Sequence, residues 1–415
     1  MNMMMYHDPD PVQVLLDVAK VLREQDHLIF TLCPTTLSLL LDLFECQSRP
    51  SDSHHVDPEV LEHHVIFIRG SFATLQHLRL VESPRKSHVC GGTRITLKPF
   101  PGLEKLELCR TPFNQLKDLK EVRHKLKLLS IHRPLTPIIS TSDVLVCSAD
   151  GLISFWEELK ELRLTACQLV SVTEECWKYT PNLRCLDLSH NCLEHASLPS
   201  ASSINLSYNK LMLFPSFSVG ASSRLQILLL RSNLLESLNG MESLVCMKTL
   251  DVSHNLLMSP ESLEPLRKLS CLEMLMLDGN PISYRIGYRN TVAGTLHQSA
   301  SKRKVLLDGV ELSEGEQEIC LSENIARLSV SPLLPLPCFI QGRSTLDDDS
   351  LSDTSSRREA REKRPGRRAL IRDQDLPTNH HVVQVQIEIH HKHGEGMFHL
   401  STGVTNTIMK RGKGE

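Results

Sequence analysis

Apolar residues along this chain recur in a fixed phrase: leucine-type side chains at i, i+3, i+5 and i+10, with asparagine or cysteine at i+8. One copy runs Leu159, Leu162, Leu164, Cys167, Leu169; the next runs Leu183, Leu186, Leu188, Asn191, Leu193. Four more begin at Ala201, Leu225, Met247 and Leu272 and place Asn209, Asn233, Asn255 and Asn280 at the same slot. Successive starts lie 18 to 25 residues apart. Weaker copies precede them at Leu75/Leu78/Leu80, Leu103/Leu106/Leu108 and Leu126/Leu129/Ile131, where Ser83, Thr111 and Pro134 occupy the asparagine slot. Residues i+3 and i+5 flank one outward residue, so both turn the same way from a short strand.

This period and phrase are those of a leucine-rich-repeat solenoid, in which each coil contributes one parallel strand and contacts only its neighbours. The fold class expected is α/β, a solenoid with a helical N-terminal cap and a disordered C-terminal tail. Leu186, Leu206, Leu228, Leu250 and Leu275 are expected to stack behind adjacent strands. Cys167, Asn191, Asn209, Asn233, Asn255 and Asn280 form a structural ladder, because an asparagine amide both donates and accepts where the backbone turns out of the sheet. An inward cysteine in such a slot has a raised thiol pKa, which argues against a catalytic role for Cys167.

The outward positions i+2, i+4, i+6 and i+7 line the concave face. Most are polar, but Ile227, Leu229, Met274 and Met276 are not. With Tyr208, Asp251 and His254 around them, they form the candidate protein-binding surface. The competing expectation is that a loop or the C-terminal tail covers these residues within the chain.

The segments predict four regions: a helical capping region over 1–70, irregular repeats over 71–158, regular repeats with a C-terminal cap over 159–320, and a largely disordered tail over 321–415. Apolar stripes at Leu15, Val18 and Leu22 and over Leu37–Phe44 predict two N-terminal helices. His54, His55, His63 and His64 lack cysteine or carboxylate partners at ligand spacing and read as solvated, so no metal is expected. Pro332, Pro335 and Pro337 mark a linker, and Val383, Val385, Ile387 and Ile389 alternate as in a strand with no evident partner.

Charge changes this picture only locally. The 415 residues carry a net charge of −3, and 4% are aromatic, which excludes a general nucleic-acid platform. Between Arg357 and Arg372, eight bases and two acids give a block able to meet an anionic membrane surface, and Lys363–Arg368 is a weaker nuclear address. Ser350 and Ser352, in acidic context, are candidate phosphorylation sites that could fold against those bases. Met1–Asp10 lacks the basic start of an export signal, no apolar run reaches the roughly 18 residues of a membrane span, and thirteen cysteines show no framework spacing. A cytosolic protein with reduced thiols is expected. The glycosylation pattern Asn205-Leu206-Ser207 then carries no meaning. No nucleophile–base set, phosphate loop or cofactor motif emerges, so the reading is non-catalytic.

The leucine-rich N-terminus, the irregular early repeats and the string Leu186-Asp187-Leu188-Ser189-His190-Asn191 come in a characteristic order, followed by the Asn280-Pro281 exit and Leu306-Leu307-Asp308-Gly309-Val310-Glu311-Leu312-Ser313. That order resembles the N-terminal half of serine/threonine kinase 11-interacting proteins, over about residues 10–320. Tyr288-Arg289 and the Asp308-Gly309 turn are similar to the C-terminal cap of cytosolic leucine-rich-repeat proteins. The resemblance implies a cytoplasmic scaffold that binds serine/threonine kinase 11, associates with endosomal or lysosomal surfaces and shares its repeats with nischarin. Family members are usually longer, so the chain reads as a truncated form. The alternative functions are inhibition of a protein phosphatase, as by its leucine-rich-repeat subunits, and an endolysosomal or cytoskeletal membrane-surface adaptor similar to nischarin.

Overall fold

The computed structural model describes residues 58–82, 95–146, 155–218, 220–329, 383–392 and 395–404, with parts of 19–41. Residues 1–327 and 381–415 form one compact unit; the other, 328–380, falls almost wholly outside the described residues. Pro332–Pro337, Ser350, Ser352 and the basic block Arg357–Arg372 therefore lie outside them, as do His54, His55 and most of the segment Val12–Leu22.

Among the described residues, one sheet of fourteen strands organises the unit. In chain order the strands are β1 (Ile29–Leu32), β2 (His77–Val81), β3 (Lys105–Cys109), β4 (Leu128–His132), β5 (Glu161–Thr165), β6 (Cys185–Asp187) and β7 (Ser203–Asn205). Then come β8 (Ile227–Leu229), β9 (Thr249–Asp251), β10 (Met274–Met276), β11 (Leu306–Leu307), β12 (Val310–Glu311), β13 (Val383–Lys392) and β14 (Glu395–Val404). From β1 to β11 the strands pair in parallel and in sequence order, one per coil.

The pairing register explains the leucine pattern. Leu78, Leu106, Leu129, Leu162, Leu186, Ile204, Leu228, Leu250, Leu275 and Leu307 are mutual register partners, all nearly or fully excluded from solvent. Ile204, rather than Leu206, takes the place in this row; Leu206 belongs to the i+5 row beside it, buried equally. Each strand from β3 to β10 is entered through a shared carbonyl of the preceding coil: Arg184 O accepts from Ser202 N and Ser203 N, and Ser202 O from Gln226 N and Ile227 N.

The early repeats expected to be irregular nonetheless keep the register, and β2 to β4 are each five residues long. The coil between Leu183 and Ala201, 18 residues long, has no helical turn on its far side. Residues Ser197–Leu198 pair there with Ser216–Phe217, and an open cleft of about 290 Å³ remains beside them, lined by Trp177, Lys178, Pro199, Ser218 and Arg224.

Two expectations about the chain ends are corrected. The region 1–70 is not purely helical, because β1 lies within it, with Phe30, Thr31 and Leu32 buried. Of the described helical residues around it, Ala19, Leu37 and Leu41 are buried in the same core. A helix missed by sequence reading, α1 (Pro58–Ala73), supplies Phe72, whose ring lies 5.8 Å from Phe30 and 5.4 Å from Phe100. His63 is exposed on that helix.

Nor is the tail wholly disordered. β13 and β14 pair antiparallel, and β13 adds in parallel to β1, with Phe30 opposite Val385 and Leu32 opposite Ile387. An edge strand presents a row of unsatisfied N–H and C=O groups, and the alternating segment 383–389 supplies their partners. The tail thus takes the edge position assigned by expectation to N-terminal helices.

Candidate functional site

The ladder residues sit where the sequence pattern placed them, and their hydrogen bonds show what they do. Asn209 donates through Nδ2 to Leu188 O and Leu206 O, while its Oδ1 accepts from Leu193 N. Asn233, Asn255 and Asn280 repeat this arrangement one coil further on each time. Each i+5 carbonyl between Leu188 and Val252 is therefore shared by two asparagines.

Cys167 fills the slot with weaker contacts to Ile131 O and Thr165 O, and burial raises its thiol pKa to about 12. At pH 8 only about one in ten thousand such thiols is ionised. Cys167 is expected to resist iodoacetamide in the native protein and to react on denaturation, as peptide mass mapping would show; native labelling at the rate of an exposed cysteine would contradict this.

Next to the ladder, the i+7 residues Ala166, His190, Tyr208, Ser232 and His254 all have φ between 53° and 59°. The column ends at Gly279, at φ 74°, where an added Cβ would lie 2.5 Å from the His254 imidazole. The left-handed turn lifts these side chains above the strand ends. His190 and Tyr208 stack there, ring centroids 4.3 Å apart and planes 6° from parallel.

The predicted binding residues do come together. Ile227, Thr249 and Met274 form one register row, and Leu229, Asp251 and Met276 the row beside it. Their exposure is uneven: Ile227 is 38% and Tyr208 43% exposed, whereas Leu229, Met274 and Met276 are half-buried by neighbouring side chains. His254 is exposed, with Nε2 3.9 Å from an Asp278 carboxylate oxygen.

Asp251 differs from a free rim acid. Its Oδ1 accepts from Ser253 N at 2.9 Å and Ser253 Oγ at 2.6 Å, and Arg231 donates to that same Oγ. Burial raises its carboxyl pKa despite these bonds. Asp187 and Asn205 brace their turns likewise, accepting from Ser189 N and Ser207 N. The Asp/Asn-x-Ser spacing is the sequence signal for this brace. Asn205, the residue of the glycosylation pattern, is buried in it.

The tail hairpin does not cover this surface. It joins the sheet beside β1, toward the end of the sheet remote from β8 to β10. Toward that edge the strand face becomes charged: Glu107 accepts from His77 at 2.7 Å with Arg79 3.4 Å away. Burial works to raise the Glu107 pKa, but the His77 hydrogen bond and the adjacent positive charges outweigh it and hold it below the ordinary value.

Beyond β10, a cap terminates the sheet. Asp308 Oδ1 accepts from Leu277 N and Asp278 N, and its Oδ2 accepts from Tyr288 on α2 (Tyr288–Thr295). Arg289 donates to Leu307 O, Glu311 O and both carboxylate oxygens of Glu316. Glu316 and Ser313 form a reciprocal capping box at the start of α3 (Glu314–Ser329), which runs past the expected boundary at 320.

Comparison with known proteins agrees with the repeat reading. The leucine rich repeat family profile matches residues 157–211. The serine/threonine-protein kinase 11-interacting protein of Gallus gallus is 31% identical over 230 residues, 54% of this chain and 21% of that protein. Its Homo sapiens counterpart is 28% identical over 357 residues, 78% of this chain and 31% of that protein. The sequence resemblance to these proteins thus extends over more than half of the chain, while the chain spans about a fifth to a third of their length. Among solved structures, the leucine-rich repeat domain of APL1B aligns over 60% of this chain and 66% of that one, with 18% identity and a TM-score of 0.35. The TLR13–ssRNA13 complex aligns over 54% of this chain and 38% of that one, with 20% identity and a TM-score of 0.36.

Proposed function

We propose that this chain is a non-catalytic scaffold that binds a serine/threonine kinase on the strand face around β8 to β10 and influences where that kinase resides. The supporting observation is the apolar set Ile227, Leu229, Met274 and Met276, held in adjacent rows of a rigid sheet and bordered by the stacked His190–Tyr208 pair. Rigid strands order these side chains before binding, and polarizable methionines adapt to a partner's contour. The name of the chicken and human relatives, serine/threonine-protein kinase 11-interacting protein, supports serine/threonine kinase 11 as that partner. The proposed site of action is cytoplasmic, on endosomal or lysosomal surfaces, with the basic block Arg357–Arg372 as a secondary membrane contact.

The test is capture of purified serine/threonine kinase 11 by the full chain and by an Ile227→Asp/Met274→Asp variant. Both changes put carboxylates into one row of the face. Binding is expected to weaken by at least about tenfold, the loss of one modest hot spot, with the melting transition retained. Undiminished binding would refute the face. A change in kinase or phosphatase turnover, without a change in location, would favour the inhibitor reading.

A further inference from the structure

Exposed large apolar side chains are few on the strand face but gather on the flank where the chain leaves the asparagine ladder. Met212, Leu213, Leu234, Leu256, Met258, Tyr284 and Ile286 all occupy this position, on four consecutive coils. The coils lie side by side there: Leu234 N donates to Leu211 O, Leu256 N to Leu235 O, and Ile282 N to Leu257 O.

We propose that this flank is a self-association surface, on which a second copy of the chain packs about a two-fold axis near Leu234. The first argument is area. Exposures run from 39% at Leu234 to 104% at Ile286. Taking roughly 180 Å² for a whole side chain of this size, they sum to about 800 Å² of largely apolar surface, which is the area each partner buries in a stable interface. Exposed apolar area of this extent, interrupted on the middle coil by the exposed Glu236, is large for a monomer's solvent-facing surface.

The second argument is charge. Glu194 lies two coils before Leu234, and Arg285, near Glu261, lies two coils after it; both are exposed. A two-fold axis through the Leu234 coil sets Glu194 of each copy opposite Arg285 of the other. That opposite-charge pair is one element of the self-complementarity an isologous contact requires, while the exposed Glu236 of the axial coil meets its own counterpart as a like charge. The strand face stays open in such a dimer, which would present two copies of it.

Sedimentation equilibrium of the full chain tests this. The wild-type chain is expected to sediment as a dimer at micromolar concentration. A Leu213→Asp/Met258→Asp variant is expected to dissociate at least about 100-fold more readily with an unchanged melting transition, since both residues already face solvent. Glu194→Arg alone should weaken the dimer, and adding Arg285→Glu should restore it. A wild-type monomer throughout, a dimer indifferent to the two aspartates, or a charge exchange that fails to restore association would each overturn the proposal. Kinase capture uses the strand face, so the two readings fail independently.

Discussion

Asn191→Ala is expected to lower the unfolding free energy by about 4 kcal/mol, and Asn233→Ala by only about 2 kcal/mol, although both occupy the same slot. Asn191 Oδ1 accepts from two backbone amides, Cys167 N and Leu169 N, and its Nδ2 donates to Leu164 O. Cys167 donates instead to Ile131 O and Thr165 O, so Leu164 O has no donor from the ladder once Asn191 is gone. Three buried backbone groups are then stranded, each at about 1–3 kcal/mol before relaxation.

At Asn233 the two carbonyls keep a second donor, Leu206 O from Asn209 and Leu230 O from Asn255, and only Leu211 N is stranded. The shared carbonyls make the ladder redundant in its interior and fragile at the coil where asparagine gives way to cysteine. Urea unfolding of the two variants measures the difference. Equal midpoint shifts at equal slope would contradict this account.

Arg289→Ala is expected to cost about 3 kcal/mol and to loosen the C-terminal end of the solenoid first. Its guanidinium holds the Glu316 carboxylate, which is 9% exposed, together with two carbonyls of the closing strands. Removing it leaves a buried anion with only the capping-box partners. The partial exposure of Arg289 keeps the expected cost at the low end of the buried-pair range.

The pH dependence follows from the same contact. The Arg289 hydrogen bond holds the Glu316 pKa below its ordinary 4.5, against opposing desolvation. Its stabilising contribution is therefore complete above about pH 4.5 and is lost as the pH falls through the lower folded-state value. The stability gap between wild type and Glu316→Gln should accordingly be widest near neutrality and close on acidification. Hydrogen exchange localises the Arg289→Ala effect; a gap that widens below pH 4.5 would reverse the assigned sign.

Most of the sheet was readable from leucine spacing because every inward position repeats the same demand: one aliphatic group per coil at a fixed register. The asparagines were readable for a similar reason, since only a side chain that donates and accepts satisfies the turn. The left-handed column was not. Its residues, from Arg110 and Arg133 through His190 and Tyr208 to Gly279, share a backbone angle but no chemistry.

The candidate site was legible in identity and only partly in exposure. Spacing places Leu229 and Met276 outward, but how far neighbouring side chains cover them depends on packing across coils. Asp251 looked like a rim charge because its bond to Ser253 two residues on is a turn feature rather than a strand feature. In the tail, alternation from Val383 to Ile389 showed a strand, but its partner β1 is far away in the chain, where periodicity carries no information.

That remote pairing has a consequence for synthesis. Coils can stack on their predecessors as they leave the ribosome, each needing only about 20 residues of new chain, whereas Ile29 must wait for Gln384, more than 350 residues downstream. At translation speeds of roughly 5–20 residues per second, β1 stays without its β13 partner for about 20–70 s in every nascent molecule. The newborn solenoid therefore carries a raw edge throughout its elongation, a natural landing place for a chaperone and a point at which neighbouring chains on one polysome can pair wrongly.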